Sequence, residues 1–568
     1  MIHHVDKELY NQVAEFEAAV STQAFDAALQ IAASVNPSAV TGIVPSGADP
    51  QLYISLRTAV QSARNRLPDF KIRMDVDLLP AALIRVRQAI DTGDINGVTA
   101  VAMRFPETPA AAEAHAWLGD RALAAGNFQR ALDHFRETHA ADSSQAESQY
   151  TSKMILTAAM LGVNISNSRS TAASLNNRVL TASDFQQLVD EMRKRHPTGH
   201  DPCVQVNSSH SNAGRLTRLS QDPVIRFHEN MTDVREFTKP ADTGELLSDR
   251  LVRRLNLTVA GTQLFANTGC QIAAFNSPDG KRLWTSRSTD GGSLRPEPIA
   301  PLRQCITASW LFARQWTANG PALVCLSRRT GERQWIRPST ETEVLISDPI
   351  LHRGNLYALI AAHSDKHQVS VRLMRFDPAS GQSLTGRELV RLKQSWWQRR
   401  LCRVSARVDS FIAGLGEVVI CADFSGQVRW MRSYTTVPAD VDPTWLSQPF
   451  EPPLVDHRHV YLTQPGTRVV ECLQRAGGEL RWRTVVPSIR RLTGLTKSHV
   501  IAIIDQGLQA FTRDSGAVAW THLCQQPVNW AHCSDDRYVV FSRRKSLPGP
   551  AGNAVPELIW LDVADGRE

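Results

Sequence analysis

From about residue 250 onward, one local pattern recurs roughly every 50 residues. A hydrophobic run is followed by a short polar turn, a glycine, and a tryptophan four residues later. The glycines are Gly280, Gly331, Gly381, Gly426, Gly478, Gly516 and Gly566, and the tryptophans are Trp284, Trp335, Trp430, Trp482 and Trp520. The third copy carries Thr385 in the tryptophan place, and the last stops two residues after its glycine. Intervals between the glycines are 51, 50, 45, 52, 38 and 50 residues. A β-rich unit of this length cannot bury its apolar face alone and must stack on its own copies. That requirement predicts a β-propeller of four-stranded blades.

Position by position, the repeat reads as a hairpin. Five residues before each glycine stand Phe275, Leu326, Phe376, Cys421, Leu473, Phe511 and Leu561, all apolar. The residue before is often small, as in Ala274, Cys325, Cys472 and Ala510. Glycine supplies the positive φ that a tight turn needs. A buried indole covers about 150–250 Å². Placed once per blade, it wedges against the neighbouring sheet, so Trp284, Trp335, Trp430, Trp482 and Trp520 with Gly280, Gly331, Gly426, Gly478 and Gly516 form the expected blade-docking set. The fourth turn, Ala422-Asp423-Phe424-Ser425-Gly426, is one residue short.

This repeat resembles the pyrroloquinoline-quinone-like (quinoprotein alcohol dehydrogenase-like) propeller. Asn276, Asp377 and Asp562 fall at that family's Asp position, and Thr330-Gly331 and Ser515-Gly516 match its turn. The Gly-His and Trp-Asp marks of a WD40 repeat are absent. The resemblance spans about 250–568 and implies seven or eight blades; the eighth would need strands from near 220–230 or from beyond this chain. It also implies two functions. Some members are quinone-dependent dehydrogenases with a calcium ion, an Asp base and often a disulfide between adjacent cysteines. Others are outer-membrane assembly lipoproteins with no catalytic site.

Residues 1–195 read as helical. Leu9, Val13, Phe16 and Val20 share a face, and Phe128, Ala131, Leu132 and Phe135 form a stripe at i, i+3, i+4, i+7. With Leu118-Gly119, Ala122 and the turn at Gly126-Asn127, the unit from Ala112 to about Ser143 resembles a tetratricopeptide repeat, although His115 and Ala122 replace that family's first-helix Trp and Tyr. A weaker copy turns at Gly93, 33 residues upstream, and a fainter one lies at Ala24-Phe25-Asp26-Ala27-Ala28. Residues 164–178 read as a polar loop, and Ser183 with Gln186 as the capping box of a helix ending near Arg195. Residues 196–249, rich in Ser, Thr, Asn, Asp and Pro, read as a linker. The domains expected are therefore 1–195, 196–249 and 250–568.

Charge and chemistry narrow the function. A net charge of +7 on 568 residues is too dilute for a dedicated nucleic-acid surface. The nine cysteines include no adjacent pair and no Cys-x-x-Cys, and His352, His363 and His367 fit no metal spacing. No catalytic, cofactor-binding or metal-binding residue is assigned. Trp396, Trp397, Arg399 and Arg400 interrupt the blade pattern and are the candidate partner contact, since Trp and Arg dominate binding hot spots. The expected function is a non-catalytic protein–protein scaffold, with a quinone-dependent dehydrogenase as the alternative. The compartment is open: the resemblance suggests the cell envelope, while the N-terminus has no secretory leader pattern. The unfinished seventh repeat suggests a longer parent chain.

Overall fold

A computed structural model of the chain describes residues 7–34, 42–195 and 256–568, with interruptions of which the longest are 139–146, 161–172, 288–302, 394–401, 435–451 and 547–553. The polar segment 196–249 lies outside the described residues. Two compact units emerge: Val5–Ala48 with Ile54–Val204, and Asp49–Tyr53 with Gln205–Glu568.

The first unit is built from helical hairpins. Helices Lys7–Ser21 and Phe25–Ser34, Leu79–Asp91 and Ile95–Arg104, and Pro109–Ala124 with the helical residues around Phe135 each turn through one left-handed residue. Those residues are Gln23, Gly93 and Gly126, at φ 58°, 69° and 72°. Helix Pro109–Ala124 starts on a Thr108 cap and a proline at its first turn, which costs nothing there because that N–H has no helical partner. Its small residues admit the next helix: a Cβ on Gly119 would stand 2.6 Å from Phe135. Ala122, Ala131, Leu132, Phe135, Met154 and Ala158 form one buried cluster.

Three expectations for this region need correction. Residues 1–195 are not helical throughout, because short strands occur at Val44–Pro45 and Leu52–Ile54. The expected loop 164–178 includes strand Ala173–Leu175, which pairs with Arg178–Leu180. The last helix is capped by Thr181, not Ser183. Thr181 Oγ1 accepts from the Asp184 N–H at 3.2 Å and donates to the Asp184 carboxylate at 2.7 Å. Thr181 and Asp184 stand three apart, as a box requires, and the helix starts at Ala182.

Among the described residues the second unit contains seven antiparallel sheets in chain order. Their strands span Asn256–Ala260 to Arg282–Arg287, Cys305–Ile306 to Arg333–Pro338, Glu343–Leu345 to Ser383–Lys393, Arg403–Ala406 to Val428–Ser433, Leu454–Val455 to Leu480–Val485, Ile489–Leu495 to Val518–Leu523, and Trp530–Cys533 to Ala554–Asp562. The seventh has three strands among the described residues. In each of the first six, the last hairpin carries a β-bulge at the same place: Ala274/Phe275, Cys325/Leu326, Arg375/Phe376, Cys421/Ala422, Cys472/Leu473 and Ala510/Phe511. The bulge sharpens the local twist and re-aims the strand that carries the indole. The small residue expected near four of the indoles is the direct cross-strand partner, in Ala274↔Trp284, Cys325↔Trp335, Cys472↔Trp482 and Ala510↔Trp520, and Cys421, one of the apolar positions of the repeat, faces Trp430 in the same way.

The fourth sheet extends past its own four strands. Leu52–Ile54 lies beside its tryptophan-bearing strand Val428–Ser433, and the Ser433 N–H donates to the Gln51 carbonyl at 2.8 Å. Five residues from within the helical half of the sequence thus belong to the sheet unit.

Candidate functional site

The repeat tryptophans lie at the seams between successive sheets. Each indole N–H donates to a backbone carbonyl in the turn of the next sheet: Trp284 to Arg328 at 2.9 Å, Trp335 to Pro378 at 2.8 Å, Trp430 to Arg475 at 2.8 Å, Trp482 to Arg513 at 2.7 Å and Trp520 to Val563 at 2.8 Å. The accepting residue always stands three before the turn glycine. The indole face lies on that glycine: a Cβ on Gly331, Gly381, Gly478, Gly516 or Gly566 would stand within 2.7 Å of a ring atom. A buried N–H thus keeps its partner whatever the side chain at the accepting position.

A second contact runs through the side chain of that same position, which the sequence reading passed over. Arg328 reaches back to Gln263 Oε1 at 2.7 Å and to the Ala260 carbonyl at 3.0 Å, and its guanidinium lies 5.9 Å from the Phe265 ring. Arg475 donates to Ser410 Oγ at 3.2 Å. Arg513 pairs with Asp456, donates to Tyr461 Oη at 3.1 Å and lies 5.8 Å from that ring. The signal was available, since arginine fills this slot in three repeats.

The third seam differs. Thr385 sits at the register position of the missing indole, opposite Arg375. The short fourth turn puts Phe424 in the slot that holds arginine elsewhere. Its ring stacks on His352 at 3.7 Å and 9°, and lies 5.2 Å from Tyr357. His352, whose spacing from His363 and His367 fits no metal site, is therefore a stacking partner.

A buried polar tie joins the second, third and fourth sheets. Arg314, with no exposed surface, donates to the Ile346 carbonyl at 2.9 Å and pairs with Asp348 at 3.0 Å. The Cys402 N–H donates to the same Ile346 carbonyl at 3.2 Å, and Cys305 Sγ donates to the Pro349 carbonyl at 3.1 Å. Burial pushes the Cys305 and Cys402 thiols up to about 12. Both stay protonated at neutral pH, so neither is an activated nucleophile. In the helical unit, His115 and His134 meet Nδ1 to Nδ1 at 3.1 Å. Burial first, and the Arg57 charge second, lower His115 to about 4.

Among the described residues no group of three or more His, Cys, Asp or Glu side chains is arranged to hold a metal ion. Among them, too, no helix is long and apolar enough to cross a membrane. Trp396, Trp397, Arg399 and Arg400, the expected partner contact, lie outside the described residues.

Residues 268–522 match the family described as outer membrane protein assembly factor BamB. No curated protein matches the chain by sequence. Similar solved structures include BamB from Moraxella catarrhalis, at 11% identity and TM-score 0.34, covering 53% of this chain and 82% of that one. Quinohemoprotein alcohol dehydrogenase from Comamonas testosteroni is similar at 11% identity and TM-score 0.37, covering 56% and 69%. The C-terminal WD40 domain of Sif2 follows at 10% identity and TM-score 0.33, covering 50% and 75%. The family match over 268–522, with the successive four-stranded sheets and the repeat that joins them, supports a β-propeller of the pyrroloquinoline-quinone-like type over that part of the chain.

Proposed function

We propose that the chain is a non-catalytic scaffold, in which helical repeats of the tetratricopeptide kind hold one protein and the propeller holds another, in assembly at the cell envelope. The observation that carries this reading is the match of 268–522 to a family described as an outer-membrane assembly factor. In this reading the five tryptophans and their facing glycines are structural wedges that close a ring of seven or eight blades. Trp396, Trp397, Arg399 and Arg400 contact a partner. Exposed apolar side chains on each unit agree with two separate surfaces: Ile72, Val76 and Ile84 on the helices, Val485 and Leu523 on blade edges.

Site-specific photocrosslinking from Ile84 and from Leu523, in cells making the full chain, tests the proposal. Two different protein adducts are expected. Absence of any protein adduct at both positions would remove the support for a scaffold. Substrate-dependent dye reduction after loading with pyrroloquinoline quinone and calcium would replace it with the dehydrogenase reading.

A further inference from the structure

The fourth blade differs from its neighbours in what lies on its edge. Trp430 has no exposed surface, whereas Trp284, Trp482 and Trp520 each keep 8%. The cover comes from residues 49–53. Leu52 packs beside Trp430 over Gly478, its Cδ1 2.9 Å from where a Gly478 Cβ would stand. The Gln51 carbonyl takes the Ser433 N–H, which is a strand-addition hydrogen bond.

The polar contacts read a specific sequence. Asp49 Oδ2 accepts from Arg432 Nη1 at 2.7 Å, while its Oδ1 accepts the Gln51 N–H at 3.0 Å and so holds the segment bent. Gln51 Oε1 lies between two guanidinium groups, 3.3 Å from Arg432 Nη2 and 3.5 Å from Arg483 Nη2. Arg483 also pairs with the fully buried Glu471. Without residues 49–53 the edge would hold two arginines against one carboxylate, and Arg432 would lose Asp49 and keep only the Gly478 carbonyl at 3.3 Å. A strand that covers this edge takes Arg432 out of water, and an acidic residue in that strand offsets the cost.

We propose that this edge is a peptide-binding site of the strand-addition type, selective for an Asp-x-Gln-Leu turn that leads into a short strand, and that residues 49–53 are its built-in competing ligand. An external peptide of that chemistry binds where Asp49–Tyr53 now lies. A tethered ligand acts at an effective concentration on the order of 1 mM. For a site of about 0.1 mM intrinsic affinity, that lowers the apparent affinity of an external peptide roughly tenfold. The proposal does not depend on the scaffold reading, because competition for the edge is measured without any cellular partner.

The probe is a fluorescein-labelled peptide of residues 46–54, titrated by anisotropy into the full chain and into a full-chain variant carrying Asp49→Ser, Gln51→Ser and Leu52→Ser. The variant is expected to bind at least about tenfold tighter than wild type. Adding Arg432→Met to it should abolish binding, and the peptide with Asn in place of Asp should bind about tenfold more weakly. A triple variant that still unfolds cooperatively yet binds no better than wild type would overturn the proposal, as would binding indifferent to Arg432. Should the triple variant fail to fold, hydrogen exchange in the Asp49→Asn full chain decides. The Ser433 amide should exchange about tenfold faster than in wild type and slow again with added peptide. Unchanged exchange overturns the proposal.

Discussion

Replacing Gly516 with alanine separates two costs that the blade seam combines. Gly516 sits at φ +69°, and a Cβ there would stand 2.4 Å from Cε3 and 2.6 Å from Cδ2 of Trp482. The left-handed backbone alone costs a non-glycine residue about 1–2 kcal/mol. Ordinary carbon contacts lie near 3.5–4.0 Å, so the indole must also retreat by roughly 1 Å. It cannot do so freely, because its N–H is held by the Arg513 carbonyl at 2.7 Å. Overpacking of this kind costs about 1–3 kcal/mol, which brings the expected total to about 2–5 kcal/mol. Gly261→Ala is the matched control. Its φ is +64°, and the nearest atom to its Cβ would be Arg328 Nη2 at 4.0 Å, so only the backbone cost applies. Urea unfolding followed by tryptophan fluorescence should destabilise the Gly516 variant by about 1–3 kcal/mol more than the control. Equal losses in the two variants would refute the claim that the indole rests on the glycine.

Arg513→Met should destabilise the propeller by about 3 kcal/mol in the same urea assay, near the low end for a buried pair because both partners keep some solvent; Arg513→Lys, which cannot fork to Asp456 and Tyr461, should recover little of it. The neutral form of His115 is favoured on folding, since its value falls from 6.5 to about 4. Its contribution is therefore complete above pH 6.5 and is lost as pH falls towards 4, by at most roughly 3 kcal/mol; the stability difference between wild type and His115→Gln, measured at pH 7 and 4.5, should shrink or reverse at the lower value. At the third seam, Phe424→Ala should cost about 1–2 kcal/mol for its half-buried ring. Thr385→Trp should stabilise that variant but destabilise wild type, where Phe424 already fills the space, and additive effects in a double-mutant cycle would contradict this.

The repeat is readable in the sequence because all seven copies carry a glycine, and five of them an indole, at fixed offsets. A period survives noise: Thr385 and the short fourth turn were visible as departures from it. The arginine slot was equally periodic at Arg328, Arg475 and Arg513, but arginine on a turn reads as solvated until its reach across the seam is known. Residues 49–53 were not legible at all. Asp-Pro-Gln-Leu-Tyr is too short to show strand alternation, and the strand it joins is nearly 380 residues away in the chain. The helix cap was misplaced by two residues because Ser183-Gln186 and Thr181-Asp184 satisfy the same spacing, and only the first turn decides between them.

The irregular third seam follows from the same geometry as the regular ones. In the first, third and fifth sheets, the residue that pairs next to the bulge hairpin is aromatic: Phe265, Tyr357 and Tyr461. Over each lies the side chain from the accepting slot of the next turn, namely Arg328, Phe424 and Arg513. Where a tryptophan is present, it stands about 6.0 Å from that aromatic on the other side, as Trp284 does from Phe265 and Trp482 from Tyr461. The space beside the aromatic is then partly filled, and the slot needs only a slender cation with its charge in reach of carbonyls or a carboxylate. Where threonine replaces the tryptophan, the slender stem of Arg387 lies over the turn glycine Gly426 in place of an indole, and a second guanidinium would add little apolar contact. A phenyl ring in the slot, stacked on His352, supplies the missing apolar area from the opposite side of the seam. The loss of one turn residue and the exchange of tryptophan for threonine thus meet in one packing requirement: the aromatic contact that tryptophan gives Phe265 and Tyr461 is given to Tyr357 by Phe424 from the next sheet.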